Sequence, residues 1–302
     1  MITPRSKESI IVLGGTGFLG RRVVQMLLDQ GFAVSIATRY PKKITQSNGD
    51  PNRDVRVVQI SIRDSGKLER AFVGAATVVN CIGHYFATRT DTFRDVHVNG
   101  ACAVAKAAMS VGVSRLVHIS GIGANRISAS TYVRARAQGE DEVRRAFPAA
   151  TILRPSVMFS RSGAFFGDLD SIVRRMPILP LFGDGSVRLQ PVYVGDVAKA
   201  VARASDFADC RGRVYELGGP DVFSYKDIIQ RLAQRGGKKR LLLPVPYKFW
   251  WSLAAVLAIL PKPPITSAQV ALMQQDNVVG ANVANFTNLG IDPKSAIALG
   301  LV

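Results

Sequence analysis

Along the first half of the chain, short apolar runs alternate with longer stretches whose apolar side chains recur every three or four positions. Ile10–Leu13 reads as a strand, Phe18–Leu28 as an amphipathic helix and Ala33–Thr38 as a second strand. Strands follow at Val55–Ile60 and Val78–Cys81, then a helix at Phe93–Met109 and a strand at Arg115–Ser120. A helix at Tyr132–Arg145 leads into a strand at Thr151–Leu153. Strand–helix–strand alternation predicts a parallel sheet with right-handed crossovers and helices on both faces, an α/β doubly wound fold. After Pro155 the punctuation changes: Gly and Pro cluster between Met176 and Gly185, at Pro244–Pro246 and at Pro261–Pro264. That half is expected to be a smaller C-terminal α/β lobe over the ends of the sheet, where open α/β folds bind their ligands. The chain has no internal repeat and no low-complexity tract.

The first strand–helix junction carries specific chemistry. Gly14-Gly15-Thr16-Gly17-Phe18-Leu19-Gly20 follows the first strand directly and opens the first helix. Gly14 permits a tight turn, Gly17 lets the backbone approach a pyrophosphate, and Gly20 lets helix and strand pack closely. The amides of Thr16, Phe18 and Leu19 lie at the helix N-terminus, which offers unpaired N–H groups and the positive end of its dipole to an anion. This is the dinucleotide-binding signature of a Rossmann-type sheet. The expected division is therefore a nucleotide-binding domain over 1–160, completed by about 188–205, with 161–187 and 206–302 forming the lobe.

The second strand ends at Ala37-Thr38-Arg39, 19 residues after Gly20. A site for NAD carries Asp or Glu about there to hold the ribose 2′-hydroxyl. Arg39, with Lys42 and Lys43 after it, instead suits a 2′-phosphate through charge-assisted hydrogen bonds. NADP(H) is the expected cofactor, with NAD(H) as the alternative.

Composition narrows the setting. The 302 residues are 47% hydrophobic, which means a globular chain. Cys81, Cys102 and Cys210 lie far apart without CxxC spacing, which suits a reducing compartment and argues against a disulfide frame. Neither the cysteines nor His84, His97 and His118 have the spacing of a metal site, so no metal is expected. The polar opening MITPRSKES does not read as a signal peptide. A formal net charge of +17 attracts polyanions such as lipid headgroups or acidic proteins, or is simply a solvated basic surface. No nucleic-acid-binding motif accompanies that charge, so nucleic acid is not an expected partner.

Beyond the glycine loop, GGTGFLGRRVV (14–24), VVNCIG (78–83), DVHVNGA (95–101), LVHISGIGAN (116–125), STYVRARAQGE (130–140) and ILRPSVMF (152–159) extend the pattern. More specific still are QPVYVGDVAKA (190–200), YELGGPDVFS (215–224), LLLPVPYKFWW (241–251) and PPITSAQV (263–270). On these segments the chain resembles the extended and atypical short-chain dehydrogenase/reductase superfamily, which includes NAD-dependent epimerases and dehydratases. Within it, the chain is similar to the 39-kDa accessory-subunit family of respiratory complex I (NADH:ubiquinone oxidoreductase) and its bacterial relatives. The resemblance implies that Asn80, Cys81, Ile82 and Gly83 lie along the cofactor. It also implies that Ser61 and Ile62 meet its adenine (with Ser61 replacing the usual Asp), that His97 stands at a helix position near the cleft, and that Pro155 and Ser156 pass the nicotinamide end.

The resemblance further implies a catalytic set of Ser120, Tyr132 and the residue four after the tyrosine. In the superfamily that residue is Lys, whose charge lowers the phenol pKa from its ordinary ~10. Here it is Arg136, planar and larger, and not interchangeable with a compact ammonium. Two readings stand: NADPH-linked catalysis by Ser120, Tyr132 and Arg136, or a site kept only for cofactor binding. Asp196 reads as a helix N-cap rather than as a catalyst.

The carboxyl half adds Phe249–Leu260, twelve residues with Ser252 as the single polar member. As a helix it would be about 18 Å long, against a bilayer core of about 30 Å, so it cannot span one. Arg235, Lys238, Lys239, Arg240 and Lys248 precede it and Lys262 follows. Paired tryptophans with basic neighbours suit an interfacial helix, and a buried helix of the lobe is the competing reading. The resemblance favours a structural or assembly role on respiratory complex I or another membrane-associated assembly, at an anionic surface on the cytoplasmic face of the inner membrane. The rivals are a free-standing oxidoreductase or epimerase acting on a nucleotide-sugar, quinone-like or isoprenoid substrate, and an NADPH redox sensor.

Overall fold

The computed structural model describes residues 8–41, 55–84, 90–161, 163–237, 239–260, 263 and 265–302. Lys42, Lys43, Lys238 and Lys262 lie outside the described residues. The chain divides into two compact units, one made of 1–121, 135–154 and 197–215, the other of 122–134, 155–196 and 216–302.

The first unit is built on strands β1 (Ser9–Leu13), β2 (Ala33–Thr38), β3 (Arg56–Gln59), β4 (Thr77–Asn80), β5 (Arg115–Ile119) and β6 (Thr151–Pro155). Sheet order is β3-β2-β1-β4-β5-β6, with the strand Val214–Leu217 beyond β6, seven strands among the described residues. The ladders β3–β2, β2–β1, β1–β4, β4–β5 and β5–β6 are parallel, as helical crossovers require. The order reverses between β1 and β4, and a reversal of this kind is where such sheets bind ligands. In register, Leu13 pairs with Ala37 on one side and Asn80 on the other, so the ends of β1, β2 and β4 finish level.

Helix α1 (Phe18–Asp29) buries Leu19, Val23, Val24 and Leu27, one stripe at helical spacing. Helix α2 (Ser65–Phe72) is absent from the sequence reading. Only Leu68 and Phe72 mark its inner face, and its start is fixed by the Asp64 carboxylate accepting the Lys67 N–H at 3.0 Å. The helix expected over 93–109 begins differently: Arg94–Gly100 winds as a π-helix before α3 (Ala101–Ser110) continues regularly. Thr92 and Asp95 cap its entry reciprocally, the Asp95 N–H donating to Thr92 Oγ1 at 3.1 Å and the Thr92 N–H to Asp95 Oδ2 at 3.1 Å. Helix α4 (Thr131–Ala146) lies close against that π turn, because a Cβ on Gly139 would fall 1.9 Å from the His97 carbonyl oxygen. Leu68, Phe72, Val104, Leu116, Val143 and Phe147 belong to the core shared by β-strands and helices on this side.

The second unit has its own core around Phe159, Phe166, Leu181, Ile228 and Leu232. Its strands are short: Met158–Ser160 pairs with Val192–Tyr193 and Gly163–Ala164, Ile178–Phe182 with Leu241–Val245, and Arg188–Leu189 with Phe223–Ser224. The apolar helix runs over Tyr247–Leu257 rather than 249–260. Trp250 is buried against Phe182, and its indole N–H donates to the Leu181 carbonyl at 3.0 Å, so this tryptophan is a core residue. The opposite face exposes Phe249 and Val256, with Ile259 exposed just beyond the helix. Two of the cations expected to flank it are engaged elsewhere. Arg240 donates to the Val173 and Arg174 carbonyls at the end of helix Phe165–Arg175, and Arg235 to the Gly300 and Leu301 carbonyls. Among the described residues no helix is long and apolar enough to cross a membrane.

Candidate functional site

The glycine loop sits at the level ends of β1, β2 and β4. Gly14 turns with φ +74°, open to glycine at little cost, and its N–H donates to the Ala37 carbonyl at 3.3 Å. A Cβ there would lie 3.0 Å from the Cys81 carbonyl group, and one on Gly20 would lie 2.1 Å from the Gly14 oxygen. Neither position has room for a side chain. Gly17 is different: its backbone is extended, and a Cβ would meet only the Gly14 oxygen, at 3.2 Å. As N-cap of α1, Gly17 has no side-chain hydrogen bond to offer, so the first-turn amides of Phe18, Leu19 and Gly20 lack intrahelical acceptors. Those amides, together with that of Thr16, suit a pyrophosphate.

Asn80 organises the end of β4. Its Oδ1 accepts the Ile82 N–H at 3.1 Å, and its amide nitrogen reaches His118 Nδ1 at 3.3 Å, within the sheet. Burial holds the His118 imidazole down at about 4, so it is neutral and Nδ1 can accept. Burial likewise holds the Cys81 thiol up at about 12, which keeps it protonated and unreactive.

His97, on the π turn, is buried, and its Nε2 lies 3.1 Å from the His84 carbonyl. A carbonyl accepts, so Nε2 carries the proton. Burial first and the Arg136 charge second depress its pKa to about 3. His97 thus braces the segment after Gly83 as a neutral donor. Its Cε1 is 3.3 Å, and Arg136 Nη2 is 4.0 Å, from the place a Gly83 Cβ would occupy. The His84 ring packs against Phe93 and His97, and neither of its nitrogens has a hydrogen-bond partner among the described residues.

Ser120 follows β5 and is buried, its Oγ without a partner among the described residues. An orphaned buried hydroxyl costs about 1–3 kcal/mol, which a ligand group would recover. Arg136 belongs with Ser120 to the first unit, whereas Tyr132, one helical turn before Arg136 on α4, belongs to the second; its side chain is buried. Pro155 and Ser156 also belong to the second unit. There the Ser156 hydroxyl donates to Asn277 Oδ1 at 2.5 Å and its N–H to the Leu217 carbonyl at 2.9 Å.

At the far end of the sheet, Ser61 and Ile62 follow β3, the Ser61 hydroxyl accepting the Arg63 N–H at 3.3 Å. Ile62 fits beneath the π turn, where a Cβ on Gly100 would meet its Cδ1 at 2.3 Å. Arg39 is paired: its Nη1 is 2.8 Å from Asp91 Oδ2, while Arg63 Nη2 lies 3.0 Å from Asp91 Oδ1. The Arg39 hydrogen bond, then the charges of Arg39 and Arg63, hold the Asp91 carboxyl below the usual range. Arg63 and Asp91 escaped the sequence reading. Arg63 stands two residues beyond Ser61, whereas Asp91 joins Arg39 across 52 positions with no local signal. Among the described residues no cluster of His, Cys, Asp and Glu can hold a metal ion.

A family model described as NAD(P)H-binding matches residues 14–164. The chain is 32% identical over 297 residues to the mitochondrial NADH dehydrogenase [ubiquinone] 1 alpha subcomplex subunit 9 of Arabidopsis thaliana, covering 93% of this chain and 73% of that protein. It is 29% identical over 248 residues to a ceramide reductase of Caulobacter vibrioides, covering 78% of this chain and 73% of the relative. In fold it is similar to an NADPH-dependent quinone oxidoreductase of Escherichia coli solved with NADPH. The TM-score is 0.75 at 18% identity, over 96% of this chain and 98% of the other.

Proposed function

Since this chain belongs to the NAD(P)H-binding family and to the lineage of those alpha subcomplex subunit 9 proteins, we propose that it holds NADP(H) as a standing structural ligand on a membrane-associated assembly of the complex I type. The observation that carries this reading is Arg39 at the tip of β2, with Arg63 beside it. An acid at that tip would favour a ribose hydroxyl, whereas guanidiniums suit a phosphate. The pyrophosphate would lie on the amides of Thr16, Phe18, Leu19 and Gly20, with Gly14 and Gly17 giving it approach. Ser61 and Ile62 would meet the adenine, and Cys81, Ile82, Gly83, His97 and Pro155 the rest of the dinucleotide. Ligand at a hundred times its Kd adds about 2.7 kcal/mol to stability, enough to retain a cofactor without turnover. Arg136 in place of the lysine supports that reading, because a guanidinium is a poor substitute for an ammonium that also reaches ribose hydroxyls.

We place the protein at the cytoplasmic face of the inner membrane. The net charge of +17 and the exposed apolar face of helix Tyr247–Leu257 favour contact with an anionic lipid surface. One observation favours a second reading. The buried Ser120 hydroxyl without a partner is what a reductase would aim at a substrate carbonyl, with Tyr132 and Arg136 completing the set. Bound NADPH would supply the hydride. The substrate would then be a nucleotide-sugar, quinone-like or isoprenoid compound, and a redox sensor is the variant without a substrate.

Titration of the purified protein with NADPH and NADH, followed by nicotinamide fluorescence, tests the first reading. Tight NADPH, weaker NADH and no turnover are expected, together with co-migration with respiratory assemblies on a native gel. Comparable affinity for both nucleotides, or migration as a free protein, overturns it. Turnover acquired by Arg136→Lys alone would identify a degraded catalyst.

A further inference from the structure

We propose that Arg39 and Arg63 together form the receptor for the 2′-phosphate, and that the Asp91 carboxylate is the internal anion this phosphate must displace, so that Asp91 sets the strength of the preference for NADP(H) over NAD(H). The inference deepens the NADP(H) reading above and rests on it.

Both arginines come from the ends of neighbouring parallel strands. Thr38 pairs with Gln59 in register, so Arg39 and the segment Ser61–Arg63 emerge side by side from β2 and β3. Asp91 comes from elsewhere, beyond β4, and gives one carboxylate oxygen to each guanidinium, at 2.8 and 3.0 Å. Arg63 also donates to the Thr90 carbonyl. Two converging guanidiniums bridged by one carboxylate have the hydrogen-bonding geometry of a phosphate site filled by a smaller anion. A phosphate monoester carries a charge of about −1.5 to −2 and three acceptor oxygens, against one charge and two oxygens for Asp91, so it competes well for the same pair.

Exposure matches an exchangeable contact. The side chains of Arg39 and Arg63 are 50% and 55% exposed and that of Asp91 20%, so a ligand can reach all three from solvent. Exposed pairs of this kind are weak, so the competition is one that a phosphate can win. A nucleotide without a 2′-phosphate has nothing to exchange for Asp91 and leaves the pair intact. An acid at the tip of β2 would bind ribose hydroxyls directly. Asp91 instead neutralises the arginines, and so acts on phosphate-bearing nucleotides alone.

Calorimetric titration of the full chain with adenosine 2′,5′-bisphosphate and with adenosine 5′-monophosphate tests this, since the two probes differ only in the 2′-phosphate. Asp91→Asn is expected to tighten the bisphosphate by about two- to fivefold, the range an exposed ion pair allows, and to leave the monophosphate unchanged. Arg63→Gln is expected to weaken the bisphosphate by a similar factor, again without effect on the monophosphate. The monophosphate controls for the general gain or loss of positive charge. An Asp91→Asn protein that binds the bisphosphate equally or more weakly overturns the proposal, because Asp91 would then be orienting the arginines. An unaffected Arg63→Gln protein overturns it as well. Failure of the underlying reading is distinct: wild-type protein would bind the bisphosphate no more tightly than the monophosphate.

Discussion

Glu140 of α4 and Arg154 of β6 are clasped by two hydrogen bonds, Arg154 Nε to Oε1 at 2.9 Å and Nη2 to Oε2 at 2.6 Å, with the carboxylate side chain 5% exposed. The pair ties the helix carrying Arg136 to the sheet beside it. Glu140→Ala removes both hydrogen bonds and the buried countercharge they carry, and should cost about 3 kcal/mol, read as a lowered denaturation midpoint in urea. Replacing both partners with apolar residues of similar size should cost much less. If the single and double variants lose the same stability, the clasp is not what holds α4.

The glycine loop predicts two distinct phenotypes. Gly20→Ala forces a Cβ into the Gly14 oxygen and should lose about 1–3 kcal/mol of stability together with nucleotide binding. Gly17→Ala has compatible backbone angles and meets only one atom at 3.2 Å, so its melting temperature should stay near wild type. Its NADPH affinity should nevertheless fall about tenfold, or 1.4 kcal/mol, if the loop cradles a phosphate. Thermal melts paired with fluorescence titrations separate the two. Full NADPH affinity in Gly17→Ala would remove the phosphate from this loop.

Acid should weaken the first unit through its histidines. His97 and His118 fold with pKa values of about 3 and about 4, depressed by burial and by Arg136, with His84 also acting on His97 and Glu140 opposing on His118. Between those values and about 6.5, the unfolded chain takes up protons that the folded chain refuses, so stability falls as pH drops. Each histidine contributes up to about 1.4 kcal/mol per pH unit in that window. Carboxylates such as Asp91 add their own loss, so the diagnostic quantity is a difference: His97→Gln should flatten the slope of unfolding free energy between pH 6 and pH 4. A parallel slope would mean that His97 titrates normally.

Membrane contact, if it runs through the Tyr247–Leu257 region, depends on its outer face. Phe249, Val256 and Ile259 are 58%, 66% and 86% exposed. Changing all three to Ser should leave the melting temperature unchanged and reduce co-sedimentation with anionic vesicles at least tenfold, by removal of buried CH₂ groups worth about 0.8 kcal/mol each. Undiminished sedimentation would assign any lipid binding to charge alone.

How much of this was legible in the sequence depended on how local each cause is. Ala33–Thr38 coincides with β2, and Phe18–Leu28 falls one residue short of α1, because period-two and period-3.6 burial write themselves into residue order. Helix α2 escaped because only Leu68 and Phe72 anchor it and its start depends on a side-chain cap. The strands of the second unit escaped too. A two-residue pairing such as Arg188–Leu189 with Phe223–Ser224 has no periodicity to detect. Within the candidate site, Gly14 and Gly20 were legible because backbone crowding demands glycine itself. The partner of Arg39 was not, since Asp91 is brought to it by the sheet. Composition likewise flagged an apolar helix but could not show that Trp250 faces inward.

That indole has an energetic corollary. The inner face of helix Tyr247–Leu257 rests on a satellite cluster of four buried residues, Trp250, Ala254, Ile265 and Val270, with Phe182 stacked on Trp250, the indole N–H donating to Leu181 and the Tyr247 hydroxyl to the Met273 carbonyl. A segment anchored by so few groups opens at lower free energy than the sheet does. Its amides should therefore exchange with solvent deuterium faster than those of the central sheet, so that the order of protection across the molecule follows the size of the cluster beneath each element.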